Sequence, residues 1–107
     1  MNTSDYQTEA LRTMQPIWGP SKMMAHAALG IAGEAGEIAG LFQKEYQGHA
    51  LDLTRLHEEL GDLCWFVAEM CEACGWEMAG VLAANVAKLR QRYPDGFEPE
   101  RSRNRRG

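Results

Sequence analysis

The chain lacks long apolar runs. None of its hydrophobic stretches approaches the ~20 residues that a membrane-spanning helix needs, so no membrane partner is expected. The opening residues, MNTSDYQTEALRTM, are polar and show no secretory leader. With three cysteines in 107 residues there is no disulfide framework either, and the expectation is a cytoplasmic protein with reduced thiols. Cys71-x-x-Cys74 has no second cysteine pair to complete a zinc site, and Cys64, Cys71 and Cys74 fall near the apolar side of one helix, as buried inert thiols would. His26, His49 and His57 complete no Glu-x-x-His motif, which counts against a di-iron carboxylate bundle built on two such motifs. Strand-like alternation is absent and β-branched residues are few, so a sheet is not expected. Nor is the chain basic. Its net charge is −4, and residues 1–100 alone stand at −8, because the tail RSRNRRG carries four arginines and no acid. An acidic body argues against a nucleic-acid partner.

What is present is helical periodicity. The length bounds the chain to one domain, residues 1–107, with a small core that oligomerisation would reinforce. Four helices are expected: Ser4–Met14 with Ser4 as N-cap, Lys22–Tyr46, Leu53–Cys74 between an Asp52 N-cap and Gly75, and Glu77–Arg92 ahead of Pro94. QPIWGPS breaks the chain after the first helix, YPDGF reads as a turn, and the tail from about residue 98 is expected to be partly extended.

The second helix contains GIAGEAGEIAG, Gly30 to Gly40, in which four glycines each cost a helix about 1 kcal/mol relative to alanine. On a helical wheel Ala27, Ile31, Ala35, Ile38 and Phe42 form one stripe, and Glu34 and Glu37 sit together on its flank. The opposite face, with Ala25, Leu29, Ala32, Gly33, Gly36 and Gly40, is not polar. A helix apolar all round is buried on both sides. The glycines then mark close approach of other helices, one of them from a second copy of the chain. The third helix repeats the layout. Leu53, Leu56, Leu60, Leu63, Val67 and Met70 make the stripe, Glu59 and Asp62 lie on the flank, and Glu58 points away.

If these two helices pack antiparallel, Glu34, Glu37, Glu59 and Asp62 face one another. Four carboxylates in a partly buried space must take up protons or bind cations. An all-oxygen cluster suits a hard ion, Mg²⁺ or Mn²⁺, and magnesium takes a substrate phosphate as a further ligand. That is a setting for metal-assisted phosphoryl or nucleotidyl chemistry. On the fourth helix Asn85, Lys88 and Arg92 share a stripe. They read either as donors to phosphate oxygens or as a solvated basic helix end. Trp18 either stacks on a base or caps the core.

Taken together, YQTEALRT, HAALGIAGEAGEIAG, EELGDLCWF and NVAKLRQRYPDGF resemble the MazG-type all-α nucleoside triphosphate pyrophosphohydrolases, in the same order and over most of the chain. ERSRNR is similar to the C-terminal signature of small bacterial and phage members. The resemblance implies a four-helix protomer assembled as a homodimer or homotetramer. It implies Mg²⁺-dependent cleavage between the α and β phosphates of a (deoxy)nucleoside triphosphate, in the service of nucleotide-pool house-cleaning. It assigns Glu34, Glu37, Glu59 and Asp62 to the metal, and Asn85 and Lys88 to the phosphates. Some members carry a further glutamate usable as a base where this chain has Gly33, which leaves Glu37 or Glu59 to activate the water. Two alternatives stand beside it: a related helical hydrolase of another phosphoanhydride such as phosphoribosyl-ATP, and a non-catalytic oligomerisation module holding a structural ion.

Overall fold

The computed structural model describes residues 1–15 and 18–103. Pro16 and Ile17 of the expected chain break and the last four residues of the arginine tail lie outside them. The elements are α1 (Thr3–Ala10), a 3₁₀ turn (Leu11–Thr13), α2 (Pro20–Tyr46), α3 (Leu53–Cys74), α4 (Met78–Arg92) and a short α5 (Pro99–Arg103). The described residues are all-α, and no helix among them is long and apolar enough to cross a membrane.

Local chemistry sets the boundaries. Asn2, not Ser4, caps α1: its side chain accepts from the Asp5 N–H at 2.8 Å while Asp5 accepts from the Asn2 N–H, a reciprocal capping box. The first helix is also shorter than its periodicity suggests, tightening to 3₁₀ geometry at Leu11. Pro20 opens α2, where its missing N–H costs nothing. Asp52 caps α3 by accepting from the Arg55 N–H at 2.9 Å. Gly75 ends α3 in the left-handed region at φ 75°, and the Trp76 N–H turns back to the Cys71 carbonyl at 2.8 Å. The first part of the tail that was expected to be partly extended is a short helix. Pro99, pre-set for a first helical turn, and Glu100 beside the N-terminal dipole start α5.

Helices α2 and α3 form the principal packed pair. His26 meets Glu69, Gly30 meets Phe66, and Glu34 meets Glu59 and Asp62. Numbers rise on one helix as they fall on the other, so the pair is antiparallel. A Cβ at Gly30 would clash with the edge of the Phe66 ring, whereas Gly33, Gly36 and Gly40 have open space above them. Only one of the four glycines is therefore a close-approach position within the chain.

The inward face of α2 is rotated from the expected stripe. Met23, Ala27, Ile31, Ile38 and Leu41 are buried or half-buried, while Ala35 and Phe42 are exposed. The reason is Gly30: the bulk filling that level comes from Phe66 across the gap, which turns the 30/34 edge of α2 inward. On α3, Leu53 and Leu60 are likewise exposed, and so is Cys64; Cys71 is buried and Cys74 half-buried. The core gathers at the far end of α3, where Ala68, Cys71 and Met78 pack with Tyr6, Leu11 and Val67. Gln7 ties α1 to this end. Its amide donates to the Trp76 carbonyl and its oxygen accepts from the Met78 N–H at 2.7 Å. The Trp65 indole N–H donates to the Ala10 carbonyl at 2.8 Å. Helix α4 packs on α1 and α3 only near its start, and residues 81–90 are exposed, including Val81, Leu82, Val86 and Leu89.

Candidate metal centre

Three of the four predicted acids converge. Glu34 from α2 and Glu59 and Asp62 from α3 each offer a carboxylate oxygen, all within 4.8 Å of one another. They are the only such group among the described residues. The antiparallel register brings them together, one turn from the Gly30–Phe66 contact. Glu59 is buried, Glu34 half-buried and Asp62 exposed, so the cluster opens to solvent at the Asp62 side. Glu58 is exposed, as the wheel predicts.

Glu37 is placed differently. It lies outside the three-acid group, exposed, one turn further along α2, and it lines an adjoining cleft of about 410 Å³ with Gly36, Gly40, Leu41, Lys44, Asp52 and Arg55. Its charge still reaches the cluster, where it is one of the influences on Glu34.

The acids cannot all be ionised without help. The Glu34 carboxyl is pushed up to about 7, first because as an acid it donates a hydrogen bond to Glu59, then by burial and by the charges of Glu59, Asp62 and Glu37. Glu59 is held below the ordinary carboxylate range by that same bond from Glu34 and by Arg55, whose Nε donates to Glu59 Oε1 at 2.7 Å. With both carboxyls ionised, Glu34 Oε2 is buried with no hydrogen-bond partner. Two occupants satisfy that oxygen: a proton given to Glu59, or a cation. An all-oxygen donor set with an orphaned buried oxygen fits a hard divalent ion.

Sequence reasoning missed Arg55. Its signal was present, since Arg55 and Glu59 stand at i and i+4 on one helix. Two of the three predicted phosphate donors on α4 face solvent. Asn85 and Lys88 are exposed on α4 and make no hydrogen bond or ion pair among the described residues, and Arg92 is half-buried at the helix end. Trp18 is half-buried and packs edge-on against His26, with ring centroids 4.6 Å apart, while Lys22 Nζ lies 5.0 Å over its ring. A larger cleft of about 600 Å³ lies between α1 and the end of α3, lined by Gln7, Arg12, Glu72 and Trp76, but none of the clustered acids reaches it.

The profile of a family described as "MazG nucleotide pyrophosphohydrolase domain" matches residues 24–97, a span that includes all four acids and the α4 stripe. The chain is similar to the "Gene 37 protein" of Mycobacterium phage L5, with 31% identity over 78 residues, covering 68% of each chain. No solved structure matches.

Proposed function

Because the chain belongs to the MazG nucleotide pyrophosphohydrolase family, we propose that it hydrolyses (deoxy)nucleoside triphosphates to the monophosphate and pyrophosphate, with Mg²⁺ as cofactor and Mn²⁺ as a substitute, as a cytoplasmic house-cleaning enzyme. The observation that carries this reading is the buried, partnerless Glu34 Oε2 inside the Glu34–Glu59–Asp62 group. Beside the acids lies a cleft that places two cations, Lys44 and Arg55, next to Glu37 and Asp52, which a non-catalytic module has no need of.

Glu34, Glu59 and Asp62 would hold the metal, with Glu37 completing the set from the cleft side. The chemistry a bound magnesium supplies is neutralisation of phosphate charge and acidification of water. Glu59 is committed to Arg55 and to Glu34, whereas Glu37 has no hydrogen bond or ion pair among the described residues. Glu37 is therefore the better general base, accepting the proton of the attacking water at the oxygen not turned to the metal. Arg55 and Lys44 line the same cleft and would donate to phosphate oxygens.

The α4 stripe, Asn85, Lys88 and Arg92, is read as a second phosphate clamp. Its approach to the acids requires assembly, and we infer a homodimer or homotetramer. Two exposed apolar faces support this. On α2, Leu29 is 74% exposed on the same helix as the open glycines Gly33, Gly36 and Gly40. On α4, Val81, Leu82, Val86 and Leu89 all face solvent. Trp18 is read as flanking the nucleobase. A panel of nucleoside triphosphates and phosphoribosyl-ATP, each with Mg²⁺, tests the substrate class. Turnover of the nucleotides is expected, and turnover of phosphoribosyl-ATP alone would replace this reading with the related one.

A further inference from the structure

We propose that Lys44 reads the terminal γ phosphate of the substrate, so that the protein counts phosphates and selects triphosphates over diphosphates; this rests on the nucleotide reading above and adds which phosphate the lysine meets. The cleft of about 410 Å³ beside the acids holds two cations, and they stand at two depths. Arg55 is the nearer. It lies one turn before Glu59 on α3 and donates its Nε to Glu59 Oε1 at 2.7 Å, which fixes its guanidinium against the metal centre. That bond uses one nitrogen of the fork and leaves two as donors to a phosphate.

Lys44 is the farther. It follows Glu37 by seven residues on the same face of α2, about 10 Å along the axis. Long helical side chains lean towards the N-terminus, which for Lys44 is back over Gly40 towards the acids. Its ammonium makes no hydrogen bond or ion pair among the described residues. A solvated lysine in the last turn of a helix complements the dipole, and that alone accounts for a cation. It does not account for the floor. Gly36 and Gly40 line the same cleft, and a Cβ on either would meet nothing within 4 Å. Each costs the helix about 1 kcal/mol relative to alanine, and neither serves a close approach inside the chain. They leave a strip of bare backbone between the acids and Lys44, along which a phosphate chain meets no side chain.

Charge sets the direction of the substrate. At the other end of the acid group Phe66 packs on Gly30 and presents an apolar ring. The most charged part of a triphosphate, its β and γ phosphates, therefore runs towards the cations. The two acids of the cleft are offset elsewhere. Asp52 caps α3, accepting from the Arg55 N–H at 2.9 Å, where its charge meets the helix N-terminus. Glu37 is assigned to the metal and the water. With the α phosphate at the acids, the β phosphate meets Arg55, and a diphosphate ends there. Only a third phosphate extends along the glycine floor to Lys44.

The test takes the deoxynucleoside triphosphate that wild type turns over best and compares its kcat/KM with that of the corresponding diphosphate. Wild type should favour the triphosphate at least tenfold. Lys44→Ala should cut that ratio at least tenfold, through the triphosphate, and Lys44→Arg, which keeps a cation there, should retain most of it. Equal use of both substrates by wild type would overturn the proposal. So would an unchanged ratio in Lys44→Ala, the mark of a solvated helix end, or an equal loss for both substrates, the mark of a structural lysine. Failure of the hydrolase reading looks different, because then no nucleotide is cleaved at all. Calorimetry with the magnesium complexes of inorganic tripolyphosphate and pyrophosphate still measures the counting. Tripolyphosphate bound at least tenfold more tightly, and levelled by Lys44→Ala, supports it; equal binding by wild type, or a difference that survives Lys44→Ala, overturns it.

Discussion

Glu34 on α2 and Glu59 on α3 confront each other within 4.8 Å, and only Glu59 has an arginine. That asymmetry assigns the proton of the metal-free pair to Glu34, which is pushed up to about 7, and leaves Glu59 ionised.

The stability of the metal-free protein should therefore fall as pH rises from about 4.5 to about 7. In that window the unfolded chain has released the Glu34 proton and the folded chain still holds it, so the folded state binds more protons and loses stability with pH. Glu59, held low, contributes stability that is present above its ordinary value and disappears only below it, outside this window. Urea melts with a chelator between pH 5 and 8 should show the decline, and saturating Mg²⁺ should flatten it by replacing the proton. Glu34→Gln removes the titrating group; an unchanged slope in that variant would contradict the assignment.

The four acids should divide by function. Glu34→Gln, Glu59→Gln and Asp62→Asn should each nearly abolish turnover and weaken Mg²⁺ binding, since they supply the convergent oxygens. Glu37→Gln should nearly abolish turnover with Mg²⁺ affinity closer to wild type. Glu58→Gln, exposed, should be mild. Calorimetry with Mg²⁺ beside steady-state rates separates the classes, and damage from Glu58→Gln equal to that from Glu59→Gln would mean a wrong register for α3.

The glycines of α2 should behave unequally. Gly30→Ala gains about 1 kcal/mol of helix propensity but drives a methyl into Phe66, at a cost of about 1–3 kcal/mol or more for overpacking. A lowered melting temperature is expected. Gly36→Ala meets open space within the chain. It should leave the protomer folded and, where a second copy packs on this face, shift sedimentation towards smaller species. A Gly30→Ala protein as stable as wild type would refute the close approach.

Lys88→Ala should lower kcat/KM by about 2–4 kcal/mol of transition-state stabilisation, in the range of other preorganised donors. It should leave the melting curve intact, because the side chain is exposed. Kinetics and melting on one sample decide. Wild-type kcat/KM would remove α4 from the site, and a collapsed melt would make Lys88 structural.

Much of the fold was legible because its punctuation is local. Asp52 and Gly75 bracket α3 by side-chain capping and a left-handed backbone, and both can be read from residue type. That Glu34 could meet Glu59 and Asp62 was legible because two spaced motifs on an antiparallel hairpin have few ways to meet; Glu37, expected with them, lies one turn outside the group. The inward face of α2 was less so. A wheel scores Phe42 as core and Gly30 as a gap, yet Phe66 fills the gap from the other helix and Phe42 is left outside. His26 and Glu69 stand 43 residues apart, and no sequence signal joins them until the hairpin register is known. On α4, Asn85 and Lys88 face solvent within one chain, so the hairpin register that explains the acids says nothing about them.

The position of cleavage decides whether the chain is a pyrophosphohydrolase. A deoxynucleoside triphosphate is incubated with the protein and Mg²⁺, and the products are separated and quantified. Monophosphate and pyrophosphate are expected in equal amounts, both lost in Glu34→Gln. Diphosphate with inorganic phosphate, or no product with any nucleotide that binds, would contradict it.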